Sequence, residues 1–389
     1  MSGRLLRLVC TAAVTAGALL VPAPALAVPD PDADSPAALG APGGRSVAEL
    51  LTELQKLYRG AEQATETYNA TEELLKKQRT EVAKLDGELA KARLSLHDSR
   101  GAAGRLARQQ YQNSSEISPY VRLLLARDPQ HALDEGHVIG QVAQERAETV
   151  GRLAGNERTT DRLARAARKA LDGRLVLAAR QKKDRDAVRE RLKEVEELLA
   201  SLTADQLTRL AELEKTGTAK AQKRFMASGA LSSRRTPSQE GGKALRYAVR
   251  QLGKPYEWGA EGPKSYDCSG LTSQAWEHAG RPIPRTSQEQ WARLPRIPLS
   301  KLRPGDLVIY FPEATHVALY LGDGMVVQAP RPGAHIKVSP IAANPVLGAV
   351  RPDPAGKPLR RYAPPRLPRA AADGSDEGYA LTEPATDPR

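Results

Sequence analysis

Apolar residues alternate at spacings of four and three over residues 50–106, and this repeat restricts the fold of the chain more strongly than any other sequence feature. The pattern persists for eight heptads, with polar interruptions at Thr71, Gln78 and Ser99. Heptads sustained over this length are typical of a left-handed coiled coil. We therefore predict a long helix whose apolar seam packs against a second helix.

A second seam follows at Val188, Leu192, Val195, Leu199 and Leu202. An apolar stretch at 118–125 and the dipeptide Asp128-Pro129 separate the two seams and interrupt the helical pattern. We expect residues 46–225 to form an antiparallel helical hairpin with a small helical tip near 112–137. The same seams would also support a parallel dimer. At 1.5 Å per residue, each arm would be roughly 90–100 Å long.

The rest of the chain divides by composition. All three tryptophans lie at 258, 276 and 291, which places a globular core in the C-terminal part. The predicted divisions are a signal peptide at 1–27, a disordered segment at 28–45, the hairpin at 46–225, a flexible linker at 226–241, a globular domain at 242–355 and a disordered tail at 356–389.

The N-terminus has the pattern of a secretory signal. Arg4 and Arg7 precede an apolar run at 8–21, and Ala25-Leu26-Ala27 provides a cleavage sequence. We expect a secreted protein that acts outside the membrane, without a transmembrane segment once the signal is removed. Cys10 would leave with the signal, so that Cys268 becomes the only cysteine of the mature chain.

The formal net charge of +12 suits an anionic cell envelope, and it is equally compatible with simple solubility. Lys and Arg alternate with Glu and Asp along the predicted helices, which disfavours nucleic acid as a partner. Histidine and cysteine do not cluster at metal-ligand spacing, so the sequence implies no metal or cofactor.

The C-terminal part combines one helix that opens at Cys268 with several short β-rich segments, which is an α+β plan. The predicted strands lie at 306–311, 316–321, 325–329, 336–338 and 346–350. The start of a helix stabilises a thiolate and lowers the pKa of the thiol, so we interpret Cys268 as a nucleophile. The alternative is an inert buried cysteine.

A thiol nucleophile needs a base, and His316 is the best placed histidine because it begins a predicted strand. His278 lies ten residues beyond Cys268 on the same helix, about 15 Å away. Gln328, in the next strand, would orient the imidazole. Its alternative is an outward-facing polar side chain.

Six short motifs resemble, in order and spacing, the NlpC/p60 family of peptidoglycan endopeptidases. They are Tyr256-x-Trp258-Gly259, Asp267-Cys268-Ser269-Gly270-Leu271, Pro284-Arg285-Thr286-Ser287, Arg303-Pro304-Gly305-Asp306-Leu307-Val308, His316-Val317-Ala318-Leu319-Tyr320-Leu321-Gly322 and Gln328-Ala329-Pro330. The resemblance covers roughly 242–353. It implies a papain-like fold and hydrolysis of stem-peptide amide bonds, typically between γ-D-glutamate and the diamino acid.

The resemblance also implies roles for individual residues. It places the nucleophile on Cys268, the base on His316 and the third polar residue on Gln328, where the family often has histidine. It puts Tyr256 beside the thiol, where the phenol helps to hold the oxyanion.

The same resemblance places Asp267 and Ser269 on the substrate side. Asp267 has a second interpretation as the N-cap of the helix. Arg285 is expected either to pair with stem-peptide carboxylates or to be a solvated surface residue.

Together these features predict a secreted cysteine endopeptidase of peptidoglycan, whose coiled coil restrains it or recruits it to a regulatory membrane complex. Two alternatives stay open. One is a non-catalytic wall-binding scaffold, and the other is an acyl transferase on the same fold.

Overall fold

The computed structural model describes residues 45–112, 119–126, 128–231 and 235–367. Two long helices, α1 (Val47–Gln112) and α3 (Pro129–Ala200), lie side by side, and the short helix α2 (Pro119–Leu124) falls between them in sequence. They are antiparallel, because Thr71 of α1 contacts Asp184 of α3 whereas Ser99 contacts Asn156.

The predicted seam lies between these helices. Leu75, Val82, Leu89 and Leu96, spaced by seven residues, are all buried. The polar interruptions find partners across the seam: Thr71 donates to the Asp184 carboxylate at 2.6 Å. Buried polar groups that are hydrogen-bonded avoid the cost of desolvation. The predicted helical hairpin is confirmed.

The second arm consists of two helices rather than one. Helix α3 ends at Ala200, and α4 (Ala204–Ala227) begins after Thr203. Thr203 and Gln206 form a capping box, in which each side chain bonds the backbone N–H of the other. This local signal starts a new helix, which contacts α1 and the C-terminal domain and buries Leu210 completely.

The C-terminal domain is α+β, as predicted. Its helices are α5 (Gln239–Val249), α6 (Cys268–His278) and α7 (Ser287–Arg293). Its strands are β1 (Arg296–Ile297), β2 (Leu307–Tyr310), β3 (His316–Gly322), β4 (Met325–Gln328), β5 (Lys337–Pro340) and β6 (Val346–Val350). They form one antiparallel sheet in the order β1-β6-β2-β3-β4-β5.

Helix α6 packs on strand β3 at the centre of the domain core. Trp276 of α6 is fully buried beside Leu271 and Leu319, and its indole N–H donates to the Gly305 carbonyl at 3.2 Å. A large ring with a satisfied N–H anchors the helix on the sheet. Cys268 and His316, at the start of α6 and β3, therefore come to the same end of the domain.

Two predicted flexible segments are partly ordered. The linker expected at 226–241 overlaps α4 and also α5, whose first turn is capped by Ser238. The tail expected from 356 stays on the domain as far as 367. Buried Arg303 binds Asp353 and the Gly356 carbonyl, and Tyr362 packs against the core. A buried arginine needs such acceptors, which is the physical reason why the disorder prediction is wrong there.

The predicted signal peptide, nearly all of the segment at 28–45 and the tail after 367 lie outside the described residues. Among the residues that are described, no helix is both long and apolar enough to span a membrane.

Candidate active site

Cys268 is the first residue of α6 and is 2% exposed. Asp267 is the N-cap, and its carboxylate accepts the Gly270 N–H at 2.6 Å. A carboxylate at this position satisfies an otherwise unpaired helix N–H group. Cys268 shares a buried core cluster with Val317, the residue after His316, where α6 contacts β3. Thiol and imidazole are thus neighbours across the α6–β3 contact.

His316 and Gln328 form the second part of the site. His316 Nε2 lies 2.7 Å from Gln328 Oε1, and both side chains are buried. An amide oxygen can only accept, so Nε2 carries the proton and Nδ1 is left as the basic atom. The two predicted partners are therefore brought together, and the amide does not face outward.

Tyr256 belongs to the same cluster. It is 6% exposed, and its backbone N–H bonds the Ala334 carbonyl at 2.9 Å. Burial raises the pKa of its phenol well above the usual value, and the charge of Cys268 contributes next. The phenol thus keeps its proton and remains a hydrogen-bond donor.

Asp267, Ser269 and Arg285 contact one another. The Arg285 guanidinium donates to both Asp267 oxygens, at 3.0 and 2.8 Å, and to Ser269 Oγ at 2.8 Å. Arg285 is only 8% exposed, so the expectation of a solvated surface arginine is wrong. The planar guanidinium group of Arg285 orients the Asp267 carboxylate and the Ser269 hydroxyl beside the thiol.

The groove in front of these residues is filled by helix α1. Glu66 is 1% exposed, and its Oε1 accepts a hydrogen bond from Ser269 Oγ at 2.7 Å and lies 3.8 Å from Cys268 Sγ. Its other oxygen accepts the Ser287 N–H at 2.7 Å. One turn earlier, Glu62 Oε1 lies 3.4 Å from His316 Nδ1. Two carboxylates of the hairpin thus face the thiol and the base.

Further contacts extend this covered surface. Asn69 donates to the Asp267 carboxylate at 3.0 Å. The ring of Tyr68 meets that of Trp258 edge to face, with centroids 5.1 Å apart. Lys76 and Glu261 form an ion pair at 3.0 Å.

Helix α4 binds the domain elsewhere. Gln222 donates to the Gly324 carbonyl at 2.9 Å and accepts the Ala342 N–H at 3.1 Å. Glu214 and Arg331 form a two-bond ion pair. The helical region is therefore attached to the domain at two separate places.

The docked helix changes the chemistry of the thiol. Burial raises the pKa of Cys268 well above its usual value, and the charges of Glu66, Asp267 and Glu62 raise it further. The expected lowering by the helix N-terminus is therefore wrong for this closed arrangement. Three carboxylates around a buried sulfur outweigh the partial positive charge of one helix end.

The pKa of the base is raised as well. Burial alone would lower the pKa of His316, but the charge of Glu62 and the hydrogen bond with Gln328 raise it above the ordinary value. Both shifts favour the protonated forms of the two groups, and a protonated imidazole cannot accept a proton from the thiol.

Glu62, Glu66 and Asn69 are the site residues that sequence reasoning missed. They lie at spacings of four and three beside the apolar seam. Such a stripe on a helix is usually solvated, whereas here it faces the groove.

Residues 253–348 match the model of the NlpC/P60 family. A probable endopeptidase of Corynebacterium glutamicum (strain R) is 40% identical over 123 residues, which cover 31% of this chain and 58% of that protein. The peptidoglycan endopeptidase RipA of Mycolicibacterium smegmatis is 36% identical over 126 residues, 28% of this chain and 25% of that protein. The chain thus spans less than two thirds of the length of either protein.

A similar solved structure is RipD of Mycobacterium tuberculosis, described as a non-catalytic NlpC/p60 domain protein adapted to a peptidoglycan-binding function. It is 30% identical, with a TM-score of 0.27, and the match covers 30% of this chain and 98% of that one.

Proposed function

The chain contains an NlpC/P60 domain, and on that premise we propose that it is a cysteine endopeptidase that hydrolyses amide bonds in the stem peptides of peptidoglycan. The observation that carries the proposal is the arrangement of Cys268 at the start of α6, next to the His316–Gln328 hydrogen bond of 2.7 Å. These three side chains supply a nucleophile, a base and a group that orients the base.

The reaction follows from the atoms available in the open site. His316 Nδ1 takes the proton of the Cys268 thiol, and the sulfur attacks the amide carbonyl carbon. The backbone N–H groups at the start of α6, with the Tyr256 hydroxyl, stabilise the tetrahedral oxyanion. His316 then protonates the leaving amine, and water hydrolyses the thioester.

The contacts of Glu66 support a substrate with a carboxylate close to the scissile bond. The groove already binds one carboxylate through Ser269 Oγ and the Ser287 N–H, within 3.8 Å of the sulfur. The α-carboxylate of γ-linked D-glutamate would have this relation to its amide. We therefore assign the scissile bond to γ-D-glutamate and the diamino acid.

The helical hairpin restrains this activity in our proposal, because Glu62, Glu66 and Asn69 occupy the groove. Recruitment or release would then come from a partner that binds the hairpin. Tyr120, Leu124 and Leu125, at its tip, are more than half exposed, which supports a contact there with a membrane complex outside the cell. We place the protein itself outside the membrane, as a secreted enzyme.

The test uses the full chain and a Glu66→Ala variant, each incubated with isolated peptidoglycan, with the released muropeptides identified by mass spectrometry. We expect cleaved stem peptides from the variant and none when Cys268→Ala is added. Unchanged muropeptides, or equal cleavage without Cys268, would refute the proposal. Ligated rather than hydrolysed peptides would instead indicate an acyl transferase.

The non-catalytic scaffold is the second candidate, because the Cys268 thiol is buried beneath α1. It predicts that Cys268 in the Glu66→Ala variant reacts with iodoacetamide no faster than a free thiol. The endopeptidase predicts faster reaction near neutral pH, because His316 would hold the thiolate.

A further inference from the structure

The groove closed by α1 contains more acidic groups than cations. Glu62, Glu66 and Asp267 are each at most 7% exposed. Arg285 is paired with Asp267, and His316 lies against Glu62. In the described part of the chain, no Lys, Arg or His lies within ion-pair distance of the Glu66 carboxyl group.

The surroundings of Glu66 explain why this matters. Its oxygens contact the Ser269 hydroxyl, the Ser287 N–H and the Cys268 thiol, all of them neutral donors. Asp267 lies on the same element as Cys268, and its partner Arg285 is oriented toward Asp267 and Ser269. A buried carboxylate without its own cation is costly, and protonation removes that cost.

From this geometry we propose that docking of α1 takes up protons, so that inhibition by the hairpin is tight in acidic solution and weakens as the pH rises through neutrality. This inference rests on the proposed restraint by α1 and adds the signal that relieves it. Glu66 is the principal proton acceptor, and His316, which faces Glu62, contributes in the same direction.

The directions of the individual pKa shifts agree with the geometry. Burial, followed by the charge of Asp267, raises the pKa of Glu66 from 4.5 to about 7. The pKa of His316 and that of Cys268 are also raised in the closed state. A group whose pKa is raised by docking favours the docked state below that pKa and loses this contribution as the pH rises through it. Glu66, His316 and Cys268 therefore all favour the docked state at low pH, and each loses this contribution as the pH rises.

The size of the effect follows from the shift of Glu66. The equilibrium constant for docking of α1 falls by up to tenfold per pH unit for each proton released. From the Glu66 carboxyl group we therefore expect this constant to fall roughly 30-fold between pH 5 and pH 7. The His316 contribution begins above its ordinary pKa of 6.5 and extends the loss to higher pH.

The experiment measures the alkylation rate of Cys268 by iodoacetamide in the full chain from pH 5 to pH 9. Each rate is divided by that of the Glu66→Ala variant at the same pH, because this variant reports the reactivity of the uncovered thiol. We expect the ratio to rise roughly 30-fold between pH 5 and pH 7. Glu66→Gln keeps a neutral side chain of the same shape, and its ratio should rise at most a few-fold.

Equal pH profiles for the wild type and Glu66→Gln would overturn the proposal, as would a ratio that falls with pH. Circular dichroism of each variant verifies that the chain is folded. The measurement requires no peptidoglycan. The proton-linked docking of α1 over Cys268, here called the latch, and the endopeptidase activity can therefore fail independently. A thiol of Glu66→Ala that is unreactive at every pH would count against the catalytic proposal and also remove the basis of the latch.

Discussion

The Ser269 hydroxyl donates to the carboxylate of Glu66 at 2.7 Å, although 203 residues separate the two positions. This bond joins the hairpin to the residue that follows the nucleophile. It occupies the place next to the thiol that a substrate carboxylate would need. A single side chain of α1 therefore covers the site and resembles part of the expected ligand.

Removing the Glu66 carboxylate should release the enzyme. Glu66→Ala deletes the bonds to Ser269 and Ser287, and a hydrogen bond contributes about 1 kcal/mol. We expect peptidoglycan cleavage by the full chain to rise at least ~10-fold. Glu81→Ala, at an exposed position of the same helix, is the matched control and should leave the rate unchanged. Equal rates for both variants would contradict the latch.

Gln328 should act by holding the imidazole. In the Glu66→Ala background, Gln328→Ala removes the 2.7 Å bond to His316 and is expected to lower kcat about 10-fold, with little change in KM. Gln328→His, which can accept the same bond, should restore much of the rate. Gln274→Ala, at an exposed pair on α6, serves as control. A pure loss of stability with normal kcat would argue against positioning.

Arg285 should be essential for the stability of the domain. Arg285→Lys replaces the guanidinium, which donates to Asp267 and Ser269 together, by a single ammonium group, and leaving a buried polar group without its hydrogen bond costs about 1–3 kcal/mol. A large fall in the denaturation midpoint of the C-terminal domain is expected. The comparison is Arg293→Lys, whose side chain is 62% exposed and whose pairing with Glu289 should contribute less than about 1 kcal/mol. Similar midpoints for the two variants would refute this role.

The Lys76–Glu261 ion pair should contribute little to closure. Lys76 is 47% and Glu261 34% exposed, and pairs of this kind contribute about 0–1 kcal/mol. We expect Lys76→Met to change the alkylation rate of Cys268 by about 5-fold or less. A tenfold increase would show that closure depends on charge at this outer contact rather than on the buried carboxylates.

The spacing of apolar residues along the sequence predicts much of the architecture. The heptads of α1 predict the helix and its buried seam because burial of one helical face is periodic in sequence. The α+β plan of the C-terminal domain also follows from its short β-rich segments. The turn after β3 brings Gln328 toward His316, but the strand register that lets the two side chains meet was not given by the sequence.

Other features depend on which surfaces meet. Glu62 and Glu66 have the composition of a solvated helix face, and only the contact between α1 and the groove makes them buried partners of His316 and Cys268. The same contact reverses the expected pKa shift of the thiol.

The sequence by itself therefore determined the helical hairpin, the α+β domain and the chemical types of the residues around Cys268. Only the tertiary structure shows that the hairpin covers them. The sequence pattern indicates which face of an element is buried, but it does not specify which distant element packs against that face. Charge repulsion, desolvation and hydrogen bonding act through space, and the charges of Glu66 and Glu62 reach Cys268 from residues about 200 positions away.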